Sequence, residues 1–184
     1  YTAADAVVEG SLMITLLKHC DRVRSASRAQ LVNVIAPIMA EEHGPAWRQT
    51  TFYPFAEAAL HARGQAYAPA ISSPTIHTEA YGDVPAIDAV VTWDEQARTG
   101  LLLAVNRDAN TPHTLTIDLS GLPGLGTLAL GKAQLLHEDD PYRTNTAEAP
   151  EAVTPQPLDI AMNATGTCTA TLPAISWISV EFHG

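Results

Sequence analysis

The sequence predicts an α/β helix–strand–helix segment over residues 1–64, followed by an all-β sandwich of jelly-roll type over residues 65–184. Three observations carry this. A run of good helix formers from Ala3 to His19 opens the chain. A β-branched stretch, Gln30-Leu31-Val32-Asn33-Val34-Ile35-Ala36, is stopped by Pro37 and followed by a second helical stretch. From Gln65 onward the texture changes to alternating and β-branched runs broken by Pro, Gly and Asp, with no helical run between them.

Thr2 followed by Asp5 resembles a capping box with Asp in place of Glu or Gln, which starts the first helix at Ala3. Lys18 and His19 suit the negative end of its dipole. At 100° per residue, Val7, Met13, Ile14 and Leu17 cover one side while Val8, Leu12 and Leu16 cover much of the other. A helix apolar on nearly all sides is normally buried within a larger body, so neighbours beyond this chain are expected; the alternative is a central helix of a small domain. Gln30–Ala36 reads as a buried strand of the parallel type. The loop from Pro37 to Ala46 leads to a second helix over about 49–63, where Pro54 marks a kink or the first turn and Gly64 the end. Strands are predicted over 66–71, 84–93, 100–107, 113–119, 133–138, 166–172 and 174–182. The second and third form an antiparallel hairpin around Asp94–Thr99. Glu148–Pro157 is a Pro-rich loop.

With 46% hydrophobic and 16% charged residues the chain belongs with globular proteins rather than disordered ones. Its 184 residues are too few for a complete (β/α)8 barrel of about 250. Twenty acidic against ten basic residues leave a net charge of -10, which repels phosphate backbones and excludes nucleic acid as a partner. Cys20 and Cys168 lie far apart, so neither a disulfide framework nor a four-ligand zinc site is indicated, and both are expected to be buried thiols. No apolar run reaches the roughly 18 residues that span a bilayer, so no membrane partner is expected. Beginning at Tyr1 without Met, the chain is expected to have lost its original N-terminus, and with it any leader peptide.

Few motifs carry chemistry. Gly121-Leu122-Pro123-Gly124-Leu125-Gly126 reads as a turn between strands, since Pro123 interrupts it and no helix follows. Glu41-Glu42-His43 follows a predicted strand end but reads as a solvated acidic loop; adjacent residues cannot flank a sugar as a retaining carboxylate pair does, about 5–5.5 Å apart. Glu138-Asp139-Asp140 lacks the spacing of a calcium loop. No metal ligand set and no cofactor motif is identified. Trp93, Trp177, Tyr81 and Tyr142 are either core residues or platforms for stacking on sugars, with core packing favoured. Asn163-Ala164-Thr165 matches a glycosylation acceptor and is expected to be unmodified.

Several ordered motifs together resemble one family. Ala29–Ile38, then Gly44-Pro45-Ala46-Trp47-Arg48-Gln49-Thr50 and Tyr53-Pro54-Phe55, are similar to the last strand, loop and helix of the barrel of family 51 α-L-arabinofuranosidases. The likeness continues through Ser73-Pro74-Thr75, Tyr81-Gly82-Asp83-Val84-Pro85, Leu103-Ala104-Val105-Asn106-Arg107 and Leu172-Pro173-Ala174-Ile175-Ser176-Trp177, and is weakest from Gly121 to Gly166. The resemblance implies that residues 1–64 are the closing part of a TIM barrel and residues 65–184 a C-terminal jelly-roll-like sandwich. It implies retaining hydrolysis of terminal α-L-arabinofuranosyl residues from arabinan, arabinoxylan or arabino-oligosaccharides, through a covalent intermediate on one Glu with a second Glu as acid/base. Both glutamates belong to barrel strands upstream of Tyr1, so the chain alone is expected to be inactive.

What the resemblance carries onto this sequence is Gln30, whose amide would bind arabinose in the central subsite, donating and accepting at once. Without the resemblance Gln30 reads equally as a structural amide. Trp47 would wall the arabinose pocket or an adjoining subsite, and Asn33 would hydrogen-bond within the barrel. The remainder of the barrel is an implied partner, as is a homo-oligomer, hexameric in particular. A cytoplasmic location is implied, with secretion left open. Two readings from other classes stand beside this one: a carbohydrate-binding sandwich, and a purely structural sandwich that braces a barrel or an interface.

Overall fold

The computed structural model describes residues 1–163 and 166–184. It contains α1 (Ala3–Lys18), β1 (Ile38–Ala40), β2 (Ala46–Arg48), α2 (Phe52–His61), β3 (Gln65–Tyr67), β4 (Thr75–Thr78), β5 (Gly82–Pro85), β6 (Ile87–Asp94), β7 (Thr99–Asn106), β8 (His113–Asp118), β9 (Ala129–His137), β10 (Gln156–Pro157), β11 (Ile160–Met162), β12 (Thr167–Leu172) and β13 (Ser176–His183). The chain is mostly β-sheet with few helices. Residues 164 and 165 of the glycosylation acceptor lie outside the described residues.

A six-stranded antiparallel sheet in the order β10-β9-β13-β7-β6-β3 forms the middle layer. On one face lie the helices, whose Ala3, Ala6, Val7, Ile14 and Ala58 share a core with Val90, Leu101, Leu103, Val105, Leu136 and Trp177. On the other face lies the three-stranded sheet β11-β12-β8, which closes a second core over Ala89, Val91, Trp93, Leu102, Ala104, Ile178, Val180 and Phe182. Alternate residues of β6, β7 and β13 therefore enter different cores. That is why Leu101–Val105 is an unbroken apolar run: a strand covered on both faces has no polar side. Inside the second core Trp93 stacks on Phe182 with ring centroids 5.7 Å apart, and its indole donates to the Pro123 carbonyl at 2.9 Å. The glycine-rich stretch is thus a turn between β8 and β9, and Trp93 and Trp177 are core residues, 1% and 0% exposed.

α1 starts where its capping box predicts: Asp5 N–H donates to Thr2 Oγ1 at 3.2 Å and Thr2 N–H to Asp5 Oδ2 at 2.8 Å. Its next free donors are met from far along the chain, Ala3 N–H by the Arg143 carbonyl and Ala4 N–H by that of Pro141. Asn145 extends the same connection, donating to the Arg48 carbonyl at 3.0 Å. Lys18 at the far end pairs with Asp88 on β6. Burial on α1 is one-sided, however, with Val8 58% and Leu12 52% exposed. α2 begins at Phe52 rather than near 49, because the chain is still extended through Arg48 in β2, and Pro54 falls in its first turn.

The strand expected over Gln30–Ala36 is not formed. Val32 makes a single bridge to Ile38, and the Asn33 side chain accepts from Ala40 N–H at 2.7 Å, which folds the segment into a turn. A parallel strand needs partners along its edges to take up its backbone groups. Among the described residues none runs beside this segment, and Leu31, Val34 and Ile35 are exposed. Cys168 is buried as expected, and burial pushes its thiol pKa up. Cys20, expected to be buried, is exposed instead, because it falls just past the end of α1 where the chain leaves the core.

Candidate functional site

Gln30 lies on an exposed loop rather than at the start of a buried strand, with backbone φ of 58°. Among the described residues its amide has no hydrogen-bond partner. The loop is anchored just before it: Arg28 pairs with Glu9, donates to Thr51 Oγ1 at 3.2 Å and lies over the Tyr1 ring at 5.2 Å. Beyond it, Tyr1 donates its hydroxyl to the Ile35 carbonyl and its terminal amine to Gln49 Oε1, both within 2.9 Å. Trp47, expected on a loop, sits in β2 opposite Met39, partly buried and with its indole N–H unpartnered among the described residues. Glu41, Glu42 and His43 form the exposed tip of the β1–β2 hairpin, with His43 only 3.8 Å from Glu42. They face solvent, as an acidic loop should. Tyr81 and Tyr142 are exposed at 83% and 78%, on separate turns.

A second group, which the sequence did not single out, lies between α2 and the large sheet. Glu57 and His61 are four residues apart on α2 and so share a face. Beneath them Glu181 of β13 points to the helix side, as Trp177 does two steps of alternation earlier. One ligand atom from each of the three lies within 4.8 Å of the other two. Glu57 is only 9% exposed; its Oε2 accepts from Gln134 at 3.2 Å, while Oε1 is buried without a partner among the described residues. Glu57 and His61 border a cleft of about 420 Å³ that Arg48, Tyr53, Lys132 and Glu151 also line. Burial there raises the Tyr53 pKa, with Arg48 opposing and Glu151 adding to the rise. An imidazole lies beside the two carboxylates. A signal existed in the Glu57-x-x-x-His61 spacing, but Glu181 comes from a strand over a hundred residues later, so only the fold reveals the third member.

The comparisons with known proteins agree with one another. The α-L-arabinofuranosidase C-terminal domain family model matches residues 1–176. The chain is 98% identical over 187 aligned positions to an intracellular exo-α-(1→5)-L-arabinofuranosidase of Bifidobacterium longum, covering 100% of the chain and 33% of that protein. It is 48% identical to an exo-α-(1→6)-L-arabinofuranosidase of the same organism, covering 98% of the chain and 34% of that protein. The chain thus spans about a third of the length of the curated relatives it matches. Among solved structures, a family 51 α-L-arabinofuranosidase from Bifidobacterium longum superposes with a TM-score of 0.95 at 96% identity, covering 100% of the chain and 34% of that protein. The arabinofuranosidase of Xanthomonas axonopodis pv. citri shares the fold at 23% identity and a TM-score of 0.83, over 100% of the chain and 36% of that protein.

Proposed function

Since this chain belongs to the α-L-arabinofuranosidase C-terminal domain family, we propose that it serves as the C-terminal third of an intracellular exo-acting α-L-arabinofuranosidase. In this reading residues 1–64 close the catalytic (β/α)8 barrel and residues 65–184 form a jelly-roll sandwich behind it. The catalytic glutamates come from the other two thirds. The chain alone supplies Gln30 as a hydrogen-bonding amide to arabinose and Trp47 as a wall of the sugar pocket. The substrates are arabinofuranosyl-containing oligo- or polysaccharides, and the intact enzyme is a homo-oligomer.

The observation that carries this reading is the apolar surface of the barrel-like half. Val8 and Leu12 on α1, and Leu31, Val34 and Ile35 on the neighbouring loop, are all at least half exposed. A small domain does not leave so many large aliphatic side chains on one half unless another body covers them. The loop backbone supports the same view. Gln30, Asn33 and Val34 all have positive φ, at 58°, 64° and 55°, and for a β-branched Val34 that conformation is costly. Extended pairing between two barrel strands would relieve it.

The test is an arabinofuranoside hydrolysis assay in two arms. This chain alone is expected to give no turnover, and specific turnover would refute the fragment reading. In the full-length relative, Gln30→Ala is expected to lower kcat/KM by roughly tenfold, the value of one well-made hydrogen bond. Unchanged kcat/KM would remove Gln30 from the sugar site.

A further inference from the structure

Glu57, His61 and Glu181 have no part in the sugar chemistry proposed above. We propose that they form a divalent transition-metal site, best suited to Zn2+, that staples α2 to β13. The donor set is one imidazole nitrogen and two carboxylates. That combination suits zinc, which three protein ligands commonly hold with a fourth position left to water, and it suits calcium or magnesium poorly.

The placement is specific. Glu57 and His61 project from one face of a helix, and Glu181 rises from the strand under it. Glu181 also falls where the pairing of β13 with β9 slips between Val180 and Phe182, an irregularity of the kind that re-aims a side chain. His61 Nδ1 lies 3.9 Å from Glu181 Oε1. Tetrahedral zinc with bonds near 2.0–2.1 Å needs ligand atoms about 3.4 Å apart. His61 and Glu181, whose side chains are 42% and 22% exposed, have room to close that difference.

The independent pointer is Glu57 Oε1. A carboxylate oxygen that is buried with no donor is costly unless a cation or donor meets it. Its other oxygen is already held by Gln134, which in turn reaches Ser179 Oγ at 3.3 Å. This is the outer support that metal-binding carboxylates usually have. The nearest positive charges lining the cleft, Arg48 and Lys132, leave Oε1 without a hydrogen bond.

The experiment titrates Zn2+ into the full chain after chelator treatment, by calorimetry and thermal melting, with Ca2+ as control. One Zn2+ per chain is expected, with a rise in Tm of roughly 5 °C at saturating metal and none with Ca2+. Co2+ in place of Zn2+ should give the visible absorption of a four-coordinate ion. His61→Gln and Glu181→Gln, both at partly exposed positions that the fold tolerates, should each weaken binding by more than about tenfold. His43→Gln, at the distant hairpin tip, should leave it unchanged. Absence of Zn2+ binding by the parent chain, or binding that survives both substitutions with circular dichroism unaltered, would overturn the proposal.

Discussion

Gly10 sits where the α1 backbone meets the indole of Trp177, and a Cβ there would lie 2.3 Å from Trp177 Cδ1. Two effects oppose each other at this position. Alanine would favour the helix by roughly 1 kcal/mol. Pressing a methyl into a fully buried indole costs about 1–3 kcal/mol, because the ring is held between the sheet and the helix. The steric effect is expected to win, so Gly10→Ala should lower the urea midpoint at unchanged m-value, and a variant as stable as the parent would contradict the packing described. Asp108 gives a second prediction at this scale. Hydrogen bonds from the Asn110 backbone foremost, and then from His113 and Thr111, hold its carboxyl pKa below the ordinary value. Because the folded value is the lower one, the stabilisation is complete above about pH 4, the unfolded value, and fades as pH falls through the folded pKa. Asp108→Ala should therefore lose stability at pH 7 and show a smaller further loss between pH 4 and pH 2, read from thermal melts. A parallel decline in both proteins would argue against the turn as the source.

Among the elements, α1 owes its start to a reciprocal pair of side-chain hydrogen bonds. Thr2→Ala should cost about 1 kcal/mol, measured by chemical denaturation. A loss near zero would mean that the Arg143 and Pro141 carbonyls alone hold the helix start. This helix was legible because its cap and periodicity are local. So were β6, β7, β8, β12 and β13, whose β-branched and aliphatic runs leave little choice of conformation. β4, β5, β10 and β11 are only two to four residues long and exist because a partner lies alongside, a fact that no local pattern carries. Gln30–Ala36 failed in the opposite sense: its composition is that of a strand, but among the described residues a single Val32–Ile38 bridge is all the pairing it makes. The candidate sites divide in the same way. Gln30 and Trp47 were found through family likeness, whereas Glu57, His61 and Glu181 meet only because β13 passes beneath α2.

Across the whole molecule, one flank of α1 is left without cover while its opposite flank is fully packed. Val8→Lys and Leu12→Lys should therefore leave the melting temperature nearly unchanged, within about 0.5 kcal/mol of stability, while reducing self-association seen by light scattering at high concentration. A large fall in stability would show that these side chains are packed after all. The long connection between β9 and β10 holds α1 through Ala3 and Ala4, and holds β2 through the Asn145 side chain on the Arg48 carbonyl. Severing the backbone near Arg63 would consequently release nothing: both pieces would migrate together, melt together and come apart only in denaturant. The sandwich is then no portable cassette, and any graft that moves it must bring the opening helix along.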